Sequence, residues 1–325
     1  MRNNNFKKLA SLAVVMAGVA TSSAKAEEVM WIYTRGTDTR PKGSFELQLS
    51  DVMMKGKSSG KYVRHEIRPG IEIGVTDKYT VGAKAIIFKH KYSVNNEELD
   101  PMYSTQGGAG GKYNHTTLGG YQISNKYNIL SPYKDAIGLS LGLNFEARER
   151  YRLDGVNINQ KSYIGRIFLQ KNWLDDKLIL AVNGITELER RKATGESGEG
   201  DVLEEEIAFE VMAGISYRVA PKHFVGMEWR HQRDHLTPTE RGESLNPGDQ
   251  QSNWDPNDIS VGANHQYANY AGPTYHYAQK DWWFTVGALW QISGGGKSAR
   301  GVGGDGKNWD EHERVHVGLL TGLEF

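Results

Sequence analysis

Residues 315–325 read Val-His-Val-Gly-Leu-Leu-Thr-Gly-Leu-Glu-Phe, and their alternation decides the fold class. Val315, Val317, Leu319, Thr321, Leu323 and Phe325 fall on one side of an extended chain. His316, Gly318, Gly322 and Glu324 fall on the other. A period of two separates an apolar face from a polar one, which predicts a strand with an oily side and a wet side.

The same pattern recurs along the chain. Ile137, Leu139, Leu141, Leu143, Phe145 and Ala147 alternate with Gly138, Ser140, Gly142, Asn144, Glu146, Arg148 and Arg150. Ile207, Phe209, Val211, Ala213, Ile215 and Tyr217 oppose Glu206, Glu210 and Arg218. Read this way, the chain holds twelve strands, near 43–54, 61–75, 79–93, 115–130, 136–152, 158–174, 177–193, 203–219, 222–236, 262–278, 282–293 and 310–325. Pro69 and Pro273 weaken the second and the tenth. The connections alternate between short turns and long polar loops. Turns fall at 76–78, 131–135, 175–176, 220–221 and 279–281; loops fall around 55–60, 94–114, 153–158, 194–202, 237–261 and 294–309. An even number of strands with two classes of connection predicts an all-β, up-and-down antiparallel transmembrane barrel of 12 strands, both termini on the short-turn side. Loop 94–114 or 237–261 is the candidate to fold inward as a constriction.

Composition agrees. The 325 residues include 38 glycines and 33 aromatic residues at a mean hydropathy of −0.58. No later stretch approaches the ~20 apolar residues of a spanning helix. Residues 1–26 carry a basic start (Arg2, Lys7, Lys8), a short apolar run from Leu9 to Ala20 and an Ala24-Lys25-Ala26 cleavage pattern. A signal peptide cut near Ala26 is expected. Residues 27–42 then form a periplasmic lead-in and 43–325 the barrel. The absence of cysteine removes thiolate metal sites, and the balance of 39 basic against 39 acidic residues argues against a nucleic-acid partner.

Charge collects on the inward face. The expected lumen-lining set is Arg64, Glu66, Arg68, Glu72, Lys84, Glu146, Arg148, Arg150, Arg166, Glu187, Glu189, Arg191, Glu210, Glu228, Arg230, Arg314 and His316. Opposite charges on neighbouring strands favour interleaving. Two readings follow: a polar path for small solutes, or an ion-pair network that packs a narrow lumen. Tyr79, Tyr133, Trp173, Trp282 and Trp283, with Tyr127, Phe224 and Tyr277, are the expected aromatic girdle at the short-turn interface. Tyr62, Tyr92, Tyr151 and Tyr163 are candidates for the opposite girdle.

Catalytic and metal motifs lack their working context. The G-x-S-x-G spelling at Gly56 to Gly60 falls in an expected loop between two strands, not at a strand-to-helix elbow, and the H-E-x-x-H spelling at His312 to His316 falls on an expected strand, not a helix, so no catalytic residue, cofactor or metal ligand is assigned. His231, His235 and His265 flank the longest loop without a matched serine. Asp255, Asn257 and Asp258, and Asp305, Asp310, Glu311 and Glu313, form two carboxylate-rich loops without a calcium-loop spacing. These read as solvated loops beside lipopolysaccharide.

Three segments resemble a family of Gram-negative outer-membrane β-barrel proteins catalogued as a domain of unknown function. They are Tyr33-Thr34 with Pro41-Lys42-Gly43 and Phe45-Glu46; Ile71 to Asp77; and Gly272-Pro273-Thr274-Tyr275-His276-Tyr277 with Trp282-Trp283. The hairpins are more distantly similar to outer-membrane transporters of phenol-degradation pathways. The resemblance implies an outer-membrane barrel; the signal peptide, the alternating strands, the two loop classes and the charged inner face lead to the expectation of a monomer among lipid and lipopolysaccharide that passes small solutes passively, with a closed structural or adhesive barrel acting through external loops as the alternative. The resemblance supplies no catalytic residue and no solute. The closing strand that ends at Phe325 matches the segment read by the barrel-assembly machinery.

Overall fold

The computed structural model describes residues 29–58, 60–93, 112–193, 202–236, 264–295, 306–309 and 311–325. Twelve strands run through them: β1 (Phe45–Lys55), β2 (Lys61–Thr76), β3 (Tyr79–Ser93), β4 (Lys112–Leu130), β5 (Gly138–Arg150), β6 (Asn157–Trp173), β7 (Leu178–Ala193), β8 (Val202–Ala220), β9 (His223–Leu236), β10 (Asn264–Ala278), β11 (Trp282–Gly295) and β12 (Val315–Glu324). Each pairs antiparallel with its chain neighbours, and β1 pairs with β12 to close the barrel. Closure leaves no unpaired sheet edge, as hydrocarbon requires. At the seam Glu46 faces Glu324, Phe45 and Phe325 exchange both backbone hydrogen bonds, and their rings stack at 4.8 Å.

The outer wall carries the apolar set. Leu118, Leu143 and Leu319 are all more than half exposed, at 63 %, 65 % and 53 %. Such a contiguous exposed apolar belt suits lipid rather than water. The two prolines cost little. Pro69 and Pro273 pair with Leu49 and Met227 on one side, while on the other the registers run from Ile67 to Gly70 and from Ala271 to Thr274 without them. A residue without an N–H sits where the ladder skips.

Two boundaries differ from expectation. The last strand begins at Val315, not 310, because Glu311, His312 and Glu313 turn into the barrel and are buried there. The lead-in 27–42 was expected in the periplasm; residues 29–40 instead lie within the barrel, as described next. The expected signal peptide with its cleavage position, most of loops 94–114, 194–202 and 237–261, and Asp255, Asn257, Asp258, Asp305 and Asp310 lie outside the described residues.

Candidate functional site

The lumen is crossed at its short-turn half by the segment from Val29 to Arg40. Val29, Met30, Trp31 and Ile32 are each at most 3 % exposed. The segment has no strand partner, so its backbone groups must find side chains. Glu228 on β9 takes most of them: it accepts from the backbone N–H of Ile32 (2.8 Å), Tyr33 (2.9 Å) and Thr34 (2.6 Å) and from the Thr34 hydroxyl (2.8 Å). Asn183 accepts from Arg35 N–H at 2.7 Å and donates to the Arg35 carbonyl at 2.9 Å. Gln170 accepts from Thr37 N–H, Thr80 from Arg40 N–H, and Thr285 donates to the Val29 carbonyl. Arg40 ends the crossing on Glu46 at 2.5 Å. Each partner comes from an inward-facing position of a different strand.

Glycines make the room. A Cβ at Gly214 would stand 2.5 Å from the Trp31 ring, and one at Gly74 would stand 2.0 Å from the Pro41 carbonyl oxygen. Gly287 and Gly318 face Ile32 in the same manner. Trp31 packs with Met30, Ile179, Ala181 and Phe224; Ile32 and Val29 pack with Tyr270, Trp283, Leu289 and Leu320. These inward apolar residues interrupt the charged wall where the segment touches it.

At the long-loop end two connections fold inward. Residues 311–314 bring Glu313 to 3.6 Å from Lys57 Nζ, 3.7 Å from Arg64 Nη2 and 3.4 Å from His316 Nε2. Lys57 also donates to the Glu311 carbonyl at 2.7 Å, and Tyr270 to the Glu313 carbonyl at 2.8 Å. Residues 151–156 are held by Arg64 and Tyr62, which donate to the Arg152 and Leu153 carbonyls at 2.6 and 2.7 Å, and by Tyr92, which donates to Asp154. Burial opposes the Glu313 charge, but Lys57 and Arg64 outweigh it and hold the carboxyl well below its usual range. Burial, with Lys57 beside it, keeps His312 well below the ordinary imidazole range.

Between the crossing segment and this mouth lies a cavity of about 260 Å³. It gathers twelve of the expected lumen residues: Arg64, Glu66, Arg68, Glu72, Lys84, Glu146, Arg148, Arg166, Glu187, Glu210, Arg230 and His316. Opposite charges pair along strands, between neighbouring strands and across the lumen. Arg68 bridges Glu66 at 2.6 Å and Glu146 at 2.8 Å; Lys84 meets Glu72 at 3.0 Å; Arg230 meets Glu210 at 2.8 Å. The other five stand elsewhere. Glu228 faces inward but is spent on the crossing segment. Glu189 and Arg191 approach each other at 3.7 Å, with Arg191 also over the Tyr151 ring. Arg150 donates to Asn157. Arg314 is outside the lumen: it precedes β12, is exposed, and lies over the Trp309 ring at 4.0 Å.

The girdle needs correcting by parity. Trp282 is exposed and sits with Tyr277 and Phe284, and Tyr133 and Trp173 are likewise exposed; Tyr79 pairs with the exposed Tyr127 across the ladder. Trp283, however, is 3 % exposed and faces inward, its indole donating to Glu46 at 3.2 Å. Adjacent strand residues face opposite ways, so Trp282 and Trp283 cannot both meet lipid. Phe224, Tyr62 and Tyr92 are also inside, whereas Tyr163 is exposed. His231 bonds Asn269 and His235 packs against Phe209; neither lines the cavity, and the His265 side chain lies outside the described set.

Tyr33, Arg35, Arg152 and Glu313 also line the cavity and carry no alternation that marks them as inward-facing. Tyr33 donates to or accepts from His316 Nδ1 at 2.7 Å and carries Arg230 over its ring at 4.1 Å. The sequence signal for the segment is the set of inward-facing glycines Gly74, Gly214, Gly287 and Gly318 on four different strands.

A family model described as a family of unknown function (DUF6662) matches residues 23–325, and the chain belongs to that family. No curated protein matches the sequence. Among solved structures, the barrel is similar to the COG4313 outer membrane channel from Pseudomonas putida F1, at 9 % identity and a TM-score of 0.55, over 89 % of this chain and 98 % of that one. The KdgM porin matches at 11 % identity and a TM-score of 0.42, over 86 % of this chain and 99 % of that one. At such identities the likeness concerns the fold, which is that of outer-membrane β-barrels.

Proposed function

We propose that this member of the DUF6662 family is an outer-membrane channel that passes small polar solutes passively, and that residues 29–40 form its constriction. The observation that carries the reading is the charged, solvent-sized cavity enclosed by an apolar outer wall. Charged walls in a narrow lumen admit polar solutes and select among them by sign and size. On this reading the leader is removed near Ala26, the barrel-assembly machinery engages β12, and a monomer sits among lipid and lipopolysaccharide. Purified, folded protein in planar bilayers is expected to give small, discrete conductance steps. No steps from the full chain, nor from a variant lacking 29–40, would contradict the channel reading. A second reading is favoured by how completely the segment crosses the lumen: a closed structural or adhesive barrel acting through its external loops. Deleting 237–261 separates the two, since an adhesin loses surface binding and a channel keeps conducting.

A further inference from the structure

The cavity is unevenly charged and unevenly polar. Nine Arg and Lys side chains line it against seven Glu. Arg166 differs from its neighbours. Among the described residues, no carboxylate reaches it within ion-pair distance; its Nε donates to the Asn144 side-chain oxygen at 3.1 Å in the amide orientation that satisfies both groups. Arg166 lines the cavity. Arg35 and Arg68 lie within electrostatic reach of it, as do Glu187 and Glu210. Arg68 is engaged with two carboxylates and Glu210 with Arg230. Arg35 has its Nη1 on the carbonyls of Trp31, Ile32 and Thr34, which fixes the guanidinium at the cavity wall.

Arg166 borders an apolar patch. Ile164 and Phe168 flank it on the inward face of β6, Ile185 is its partner across the ladder, and Met212 packs with Ile164 and Ile185; Tyr33 packs against one side of the patch and Lys126 Nζ lies 4.8 Å from the Phe168 ring centre. A guanidinium beside an oily patch with no carboxylate at ion-pair distance is unusual, because a desolvated charge favours a counter-ion. An arginine also presents paired donors that match a carboxylate.

We propose that this patch binds a small carboxylate with an apolar body. The carboxylate is held by Arg166, with Arg35 beside it, and the body lies on Ile164, Phe168, Ile185 and Met212. At about 260 Å³ the cavity falls below the ~300–1,000 Å³ of drug-sized pockets, which limits the body to a short chain or single ring. The inference names a solute class for the proposed channel and rests on that reading for its role in passage, though binding itself does not.

The test is calorimetric titration of the folded full chain in detergent with hexanoate, hexylammonium and acetate. Hexanoate should bind, acetate more weakly, and hexylammonium not measurably. Arg166→Gln should weaken hexanoate at least about tenfold, the loss of a charged hydrogen-bond partner, while Arg166→Lys recovers part of it. Heat-modifiable gel mobility identifies variants that fold. Absence of hexanoate binding to the folded wild type, equal binding of hexylammonium, or unchanged affinity in folded Arg166→Gln would each overturn the proposal. Binding without conductance would defeat the channel reading and leave this site standing.

Discussion

The two ends of the lumen are closed by different chemistry. At the short-turn end the chain from Val29 to Arg40 is held mainly by backbone N–H groups donating to side chains and by apolar anchors seated against glycines, with a single buried ion pair, Arg40 on Glu46, at its end. At the long-loop end the inward loops are held by buried ions, Lys57 and Arg64 on Glu313 with His316 alongside. The first arrangement gains from shape and tolerates changes of salt. The second depends on every partner being present, because a buried charge stripped of its partner costs far more than the pair contributes. One end is therefore a fitted segment, and the other is an electrostatic clasp.

The largest effect is expected at the clasp. Glu313→Ala leaves Lys57 and Arg64 facing each other without a carboxylate, a loss on the order of 3–5 kcal/mol. Proteolysis within residues 306–314 of the folded barrel should become rapid; unchanged resistance would remove the distinction between the two ends. Replacing Glu313 and its partners together with apolar residues should restore much of the resistance.

At the fitted end, Glu228→Gln replaces one carboxylate oxygen by an amide donor, so that at best Tyr33 and Thr34 keep an acceptor while the Ile32 N–H loses its own, and should loosen the segment by about 1–3 kcal/mol. The chain has no cysteine, so Thr37→Cys supplies a single buried thiol as reporter. Maleimide labelling of that thiol should be slow in the parent and at least several-fold faster in Glu228→Gln. Gly214→Leu drives a side chain into the Trp31 ring and should accelerate labelling through overpacking worth ~1–3 kcal/mol, while leaving the clasp resistant to protease. Coupled loss at both ends would show that they are one unit.

The smallest effect is the response to acid. His312 has a folded pKa below its ordinary value, so the loosened state takes up a proton first. The inward loop then loses stability as pH falls below ~6.5. Glu313 is also depressed, and its contribution, present above the ordinary carboxyl range, fades as pH falls further through its lowered folded value. Both act in one direction, so protease sensitivity at 306–314 should rise between pH 7 and 4. Thr37→Cys labelling over the same range, divided at each pH by that of a free thiol because only the thiolate reacts, is the contrast and should stay flat.

The barrel was legible because lipid outside and polar groups inside impose a period of two on every strand, and an even strand count fixes where the turns fall. The twelve lumen residues in one cavity follow from that alternation alone. What alternation cannot reveal is aperiodic. Val29 to Arg40 has no repeat, and its contacts lie as far away as Tyr33 to His316. Nearness to a strand end points to a girdle for Trp283, Tyr62 and Tyr92, but parity turns them inside. The 310–314 stretch alternates well enough for a strand, yet its carboxylate found two buried cations across the mouth, and those contacts prevailed.

The central claim is that residues 29–40 set the bore. Single-channel conductance of the full chain and of a variant lacking 29–40, in the same bilayer and salt, tests it most directly. The account predicts a several-fold larger step from the shortened chain, with both proteins showing folded-barrel gel mobility. Equal conductance from two folded proteins would contradict it.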